Sequence, residues 1–217
     1  MKYKHVFFDF DGTLADTISG ITFACNKVSE IYNVKKNFTD AQVQTFIGEG
    51  SKRLFLRAFD FEDLNNENQK MYDDFMYYYL NFQTEHISLY ENCIEVLKTL
   101  QNLNIFLYIY SNKPHNILLE CVKMVLPNIK FELVLGNRTE DKPKPDPESI
   151  NKYIKDHHIN KEETIYVGDS LVDLRFARNL GVDSLIVTHG YWNSGNINKE
   201  KPTYIAKNMN DILTYII

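Results

Sequence analysis

The sequence predicts an α/β protein whose parallel sheet is interrupted by a helical insertion. Short, unbroken apolar runs recur along the chain, and amphipathic stretches lie between them. One long segment after the first run keeps helical spacing and contains no convincing strand. Strands covered on both faces read as continuous apolar runs rather than alternating ones, which marks a parallel sheet sandwiched between helices.

Taken in order, residues 4–8, 105–110, 132–135, 164–167 and 183–187 are the predicted strands. Each is short, rich in β-branched and aromatic residues, and bounded by Gly, Asn or Asp. Ile94, Leu97, Leu100 and Leu103 form the stripe of one helix; Ile117, Leu118, Cys121, Val122 and Val125 form that of another. From 17 to 86 the spacing is helical. Ile18, Ile21, Cys25, Val28 and Tyr32 step by threes and fours, as do Met71, Phe75, Tyr78 and Phe82. A segment of about seventy residues is long enough for a small core of its own. Residues 17–86 are therefore expected to form a helical cap, inserted into a core made of 1–16 and 87–217. The run Tyr77-Tyr78-Tyr79 is read as packing within that bundle. Residues 190–202 are polar and aperiodic, hence a loop, and 205–217 close the chain with a short helix.

Composition narrows the function classes. Of 217 residues, 44% are hydrophobic and 24% charged, with 9 glycines and 6 prolines, which excludes disordered, collagen-like and disulfide-scaffold chains. The net charge of −5 argues against nucleic-acid and anionic-membrane partners while leaving room for a local basic pocket. Cys25, Cys93 and Cys121 are widely spaced and form no CxxC pair, so they read as buried thiols. Val6-Phe7-Phe8 is too short for a signal peptide and no run reaches membrane-spanning length, so a soluble, cytoplasmic protein is expected. Among the histidines, His157-His158 closes a predicted helix, and His189 near the last strand is a weak site candidate.

The chemistry concentrates where the first strand ends, at Asp9-Phe10-Asp11-Gly12-Thr13. Two acids flank one residue there, and a glycine frees the backbone to turn. Sites in parallel α/β sheets form at the carboxyl ends of strands. Adjacent carboxylates at such a place repel each other unless a cation or shared proton compensates, so a hard divalent metal is the natural partner.

This segment resembles the first motif, DxDGT, of the haloacid dehalogenase superfamily, and the resemblance continues in order along the chain. Ser111-Asn112-Lys113-Pro114 resembles the second motif, Lys142-Pro143-Lys144-Pro145-Asp146-Pro147 the third (KPxPxP), and Gly168-Asp169-Ser170-Leu171-Val172-Asp173 the fourth. The resemblance implies a Rossmann-like core with a helical cap after the first strand. It also implies that Asp9 is the nucleophile forming an aspartyl-phosphate, and that Asp11 is the general acid and base. The dehalogenase branch lacks an acid at the Asp11 position, so phosphoryl transfer is favoured. Mg²⁺ is the implied cofactor, with Asp9, the main-chain carbonyl of Asp11, and Asp169 as ligands and Asp173 nearby. Ser111 and the backbone amide of Asn112 would bind phosphate oxygens. Lys142 is expected to neutralise the phosphate, because KPxPxP fits in register from it, and Lys144 is expected at the surface.

Within the predicted cap, Gly48-Glu49-Gly50-Ser51-Lys52-Arg53-Leu54 resembles the GxGxxxL segment of phosphoglycolate phosphatases. Gly48 and Gly50 would allow close backbone approach, and Lys52 or Arg53 would meet a substrate carboxylate or second anion. The helix after Asp173 carries Arg178 and Asn179 where relatives have small residues, which implies a packing difference. The expected function is a Mg²⁺-dependent phosphatase of a small, phosphoglycolate-like monoester. The alternatives are a phosphomutase of the β-phosphoglucomutase type and an inactive binding or regulatory module on the same fold. The expected partner is a small phosphorylated metabolite, with neither nucleic acid nor membrane, in a monomer or homodimer.

Overall fold

Strand β1 (His5–Phe8) carries three fully buried residues in a row, and such a run gains most from neighbours on both edges and both faces. It finds them. β1 pairs in parallel with β4 (Phe106–Pro114) through His5↔Phe106 to Phe8↔Ile109, and with β6 (Thr164–Gly168) through His5↔Thr164 to Phe8↔Val167. A computed structural model describes residues 2–138, 141–191 and 197–217. In it, β5 (Leu133–Asn137), β7 (Asp183–Val187) and β8 (Tyr204–Ala206) complete a six-stranded parallel sheet of order β5-β4-β1-β6-β7-β8.

Period-two alternation divides the apolar strand residues between two layers. Val6, Phe8, Leu107, Ile109, Ile165 and Val167 face helices α5 (Cys93–Asn102), α6 (His115–Val125) and the C-terminal α9 (Met209–Ile216). Phe7, Tyr108, Tyr110 and Tyr166 face α7 (Glu148–Asp156) and α8 (Leu171–Leu180). The α/β expectation is therefore met, with the central strands β1 and β6 buried on both sides and the edge strands β5 and β8 only partly so.

Between β2 (Ala15–Asp16) and β3 (Ser88–Leu89) the chain is helical: α1 (Ile18–Ile31), α2 (Asp40–Gln44), α3 (Ser51–Phe59) and α4 (Gln69–Phe82), followed by a 3-10 turn at Gln83–His86. Phe55 lies at the centre of its packing, with the rings of Phe59, Tyr72 and Phe75 at 5.0, 5.2 and 5.7 Å. A short antiparallel pair, β2 (Ala15–Asp16) with β3 (Ser88–Leu89), brings the two connecting segments together. Next to it the buried Gln83 amide donates to the Thr17 carbonyl at 3.2 Å.

Three details differ from the sequence expectation. In α4 the buried set is Met71, Phe75 and Tyr79, not Tyr78, because steps of four follow the face that packs on α1 and α3; Tyr78 instead stacks on Phe82 at 5.8 Å. In α5, Ile94 is exposed and Cys93, Val96, Leu97 and Leu100 are buried. The segment after 202 contains edge strand β8 before α9, and three residues are too few to display a period. Part of the expected loop at 190–202, including Trp192, lies outside the described residues. His157 does close α7, stacking on Tyr153 at 3.9 Å, and all three cysteines are free and buried. Among the described residues, no helix is long and apolar enough to cross a membrane.

Candidate active site

The carboxyl ends of β1, β4 and β6 lie side by side, and the side chains that follow them converge. Asp9 continues β1 by one residue, its amide donating to the Val167 carbonyl at 2.8 Å. The chain then turns sharply through Gly12, at φ +79°. A Cβ on Gly12 would lie 2.3 Å from Asp169 Oδ2, and one on Gly190 would lie 1.8 Å from the Gly12 carbonyl oxygen. A side chain at either position would push the two loops apart.

Asp9, Asp169 and Asp173 are all buried and can each place an oxygen within 4.8 Å of the others. Their occupations differ. Both Asp173 oxygens are committed. Oδ1 accepts from Lys144 Nζ (2.6 Å) and Tyr166 Oη (3.3 Å); Oδ2 accepts from the Asp169 and Ser170 amides and from Ser170 Oγ (2.6 Å). Asp169 accepts from Thr13 Oγ1 (3.3 Å) and the Tyr191 amide (2.6 Å). Asp9 Oδ1 sits 3.0 Å from Lys144 Nζ without the alignment of a hydrogen bond, leaving a buried carboxylate oxygen with no donor.

Burial pushes the Asp9 carboxyl up to about 7, with the neighbouring Asp173 charge adding and Lys144 opposing. Burial and the Asp173 and Asp9 charges likewise raise Asp169 well above the carboxylate range. Three buried carboxylates thus share one ammonium. A hard divalent cation fits this all-oxygen set: it would occupy the open face of Asp9 and Asp169 and relieve their repulsion. Asp173 serves the set by holding Lys144 and capping α8. The Asp11 carboxylate stands apart from the three, so its expected contribution remains the main-chain carbonyl.

The two lysines of the third motif exchange places relative to expectation. Lys142 is exposed, pairs with Glu148 at 3.0 Å and does not reach the cluster. Lys144 is buried and lies between Asp9 and Asp173. Burial opposes its charge, but the two carboxylates more than offset this and hold its pKa above the ordinary lysine value. The expectation for Lys142 is therefore corrected. Two Lys-Pro pairs stand two residues apart, and the loop turns the second inward. Asn112 fixes that loop, since its Oδ1 accepts from the Lys144 amide (2.7 Å). Its Nδ2 donates to the carbonyls of Lys144 (3.1 Å) and Gly48 (2.9 Å). Asn179 holds the next residue, donating to the Pro145 carbonyl at 2.9 Å.

A cavity of about 90 Å³ opens above these groups. Asp9, Asp11, Ser111, Asn112 and Asp169 line its floor, and Ile47, Gly48, Gly50, Ser51 and Leu54 line the opposite wall. Gly48 and Gly50 therefore border the cavity. Lys52 and Arg53 are not, and that expectation is corrected. Ser51 and Leu54, three apart on α3, face the cavity, so the two residues between them turn away. Lys52 pairs with Asp63 at 2.9 Å on the surface, and Arg53 lines a separate shallow groove with Glu49 and Arg175.

The model of the haloacid dehalogenase-like hydrolase family matches residues 6–187. The chain belongs to this family. Curated relatives include a phosphoglycolate phosphatase of Vibrio parahaemolyticus, 27% identical over 98% of this chain and 96% of that protein. Among solved structures, a haloacid dehalogenase-like family hydrolase from Streptococcus pneumoniae superposes with a TM-score of 0.86 at 24% identity, covering 100% and 99% of the two chains. CbbY from Rhodobacter sphaeroides, solved with phosphate, superposes at 0.81 with 15% identity over 97% and 96%.

Three residues at this hydrolase's site carry no role in the sequence reading. Lys113 Nζ is buried and donates to Asp11 Oδ1 and Tyr79 Oη, both at 2.9 Å. Its signal is the strand period: on β4 it shares a side with Ser111. Tyr79 falls one position off the assumed α4 stripe. Tyr191 follows β7; its amide binds Asp169, and its hydroxyl accepts from the Thr17 amide at 3.1 Å. Thr17 in turn donates to Asp11 Oδ1 at 2.7 Å. His189 is tied to the Thr13 carbonyl (3.1 Å) and packs on Tyr90, outside the cavity lining.

Proposed function

We propose that this hydrolase is a Mg²⁺-dependent phosphatase of small phosphate monoesters, with 2-phosphoglycolate the first substrate to try. The observation that carries the proposal is Asp9. Its carboxylate is buried at the cavity floor, has an oxygen that no donor holds, and has Lys144 at 3.0 Å to neutralise charge. The full-length similarity to proteins named phosphoglycolate phosphatase supports the substrate choice.

The chemistry follows from the groups in place. An Asp9 oxygen attacks phosphorus, the bond from phosphorus to the ester oxygen breaks, and the aspartyl-phosphate forms. Asp11, two residues on, gives the departing alkoxide its proton and then takes one from the water that attacks the aspartyl-phosphate. That second attack breaks the bond between Asp9 and phosphorus, releasing inorganic phosphate and restoring the carboxylate. Lys144 and Ser111 stabilise charge on the phosphoryl oxygens as it spreads. Asp9, Asp169 and the Asp11 main chain would hold Mg²⁺, which supplies neutralisation of the phosphoryl charge when bound. In this proposal residues 17–86 act as a cap domain over the core of 1–16 and 87–217, keeping bulk water from the site.

Phosphate release from a panel of esters, with and without Mg²⁺, tests the proposal. Asp9→Asn should abolish turnover while the circular dichroism spectrum is unchanged. A variant that keeps most of its activity at saturating Mg²⁺ would sink the mechanism. Transfer of phosphate to a hexose, rather than to water, would replace it with the mutase alternative.

A further inference from the structure

The contact of Lys113 with Asp11 leaves part of the ammonium's hydrogen-bonding capacity unused. An ammonium has three donors. Two are spent, on Asp11 Oδ1 and on Tyr79 Oη, and among the described residues the third has no acceptor. The Tyr79 hydroxyl is in the same position. It accepts from Lys113, its own hydrogen finds no acceptor among the described residues, and burial holds its pKa up so that it stays a neutral donor. Both side chains are buried and both line the cavity. Lys113 is the one cationic side chain among the described residues of that lining, since Lys52 and Arg53 point elsewhere. Two unspent donors, side by side and one of them charged, match the two oxygens of a carboxylate. The first turn of α3, entered from Gly50 with no side-chain cap, opens on the same space.

We infer that Lys113 and Tyr79 form a subsite for a carboxylate on the carbon next to the ester oxygen of the substrate. Position supports the assignment. An acceptor on Lys113 would lie within about 6 Å of the Asp11 carboxylate, the sum of two hydrogen-bond lengths through the shared nitrogen. Asp11 is the group that meets the ester oxygen in the proposed reaction. The subsite therefore reads what is attached beside that oxygen and favours small 2-phospho acids over neutral alkyl phosphates. It rests on the phosphatase proposal for the orientation of the ester, but binding tests it without turnover.

The experiment is calorimetry, in the presence of Mg²⁺, with two non-hydrolysable probes of matched length, 3-phosphonopropionate and propylphosphonate. The wild type should bind the carboxylate-bearing probe at least about tenfold more tightly, the scale of a charge-assisted hydrogen bond. In Lys113→Met that preference should fall to within about twofold, and in Tyr79→Phe it should fall about three- to fivefold. Tyr79→Phe decides alone if the lysine variant does not fold. No preference in the wild type, or one retained in the folded variants, overturns the subsite. Phosphate release from 2-phosphoglycolate separates the two claims. Turnover without a binding preference leaves the phosphatase standing and removes the subsite; a preference without turnover does the reverse.

Discussion

On the core side of the cavity, side chains hang from neighbouring strand ends and almost every polar atom is gripped. Asp173 has all its partners, Asp169 is held by Thr13 and Tyr191, and Lys144 is locked by Asp173 and Tyr166. On the helical side, apart from Ile21, Gln44 and Tyr79 on three other helices, the wall is a loop and the first turn of α3. Gly48, Gly50, Ser51 and Leu54 offer backbone, one hydroxyl and apolar surface, and the basic residues face away. A strand end fixes a side chain's direction to within its pleat, while a loop on a separate helical layer can shift without disturbing the sheet. In the proposed reaction, bond making belongs to the rigid wall, and fit is shared between the helical wall and the one strand residue, Lys113, that meets Tyr79.

Substitutions on the rigid wall should be the costliest. Asp9→Asn should lower kcat by a factor on the order of 10⁴ or more, since it replaces the proposed attacking carboxylate with a poorly nucleophilic amide, as phosphate release will show. Lys144→Ala should lower kcat by about 10²- to 10³-fold. It should also cost about 3–5 kcal/mol in denaturant unfolding, because Asp173 loses its buried counter-charge. Lys142→Ala, two residues away but exposed, should leave the unfolding midpoint unchanged and stay within about twofold in rate. Equal losses for the two lysines would break the contrast.

The pH dependence sharpens it further. Asp9 has a folded pKa of about 7 against an ordinary 3.8, so the metal-free native protein binds the extra proton between those values. A raised carboxyl makes stability fall as pH climbs from about 4 to about 7, and Asp169 adds in the same direction. A cation binds the deprotonated carboxylates, so the rise in Tm from saturating Mg²⁺ should be larger at pH 8 than at pH 5. A gain independent of pH would mean that these carboxylates are not what the ion touches. On the helical wall, Lys52→Ala and Arg53→Ala should change kcat/KM by less than about twofold, since neither lines the cavity. A tenfold loss would put one of them at the substrate.

Much of the core is legible in the sequence because a strand covered on both faces cannot hide its apolar run. Residues 183–187 appear with the boundaries of β7, and the other four predicted strands fall within a few residues of theirs. Asp9, Ser111 and Asp169 are legible for a related reason: each polar residue ends such a run. What escapes is whatever depends on a turn of chain with no period. Lys142 and Lys144 stand in the same proline-rich stretch, and the choice between them is made by Asn112 and Asp173, which are distant in sequence. Tyr79 escapes because three consecutive tyrosines give the helix no contrast, and only tertiary packing selects the one that turns inward. Edge strand β8 is too short to announce itself.

The central position of β1 has a consequence for how the molecule comes into being. The strand that leads into Asp9 precedes both of its partners in the chain, and they lie about 100 and about 160 positions later. Loop closure over such distances precedes any return in contacts, so the sheet assembles slowly and late, while the helices from α1 to α4 pack largely on one another at shorter separations. On the ribosome the helical segment is therefore ready before the sheet. A nascent chain that stops short of β6 should already be rich in helix yet unable to retain a divalent ion, since Asp169 and Asp173 have not yet been made.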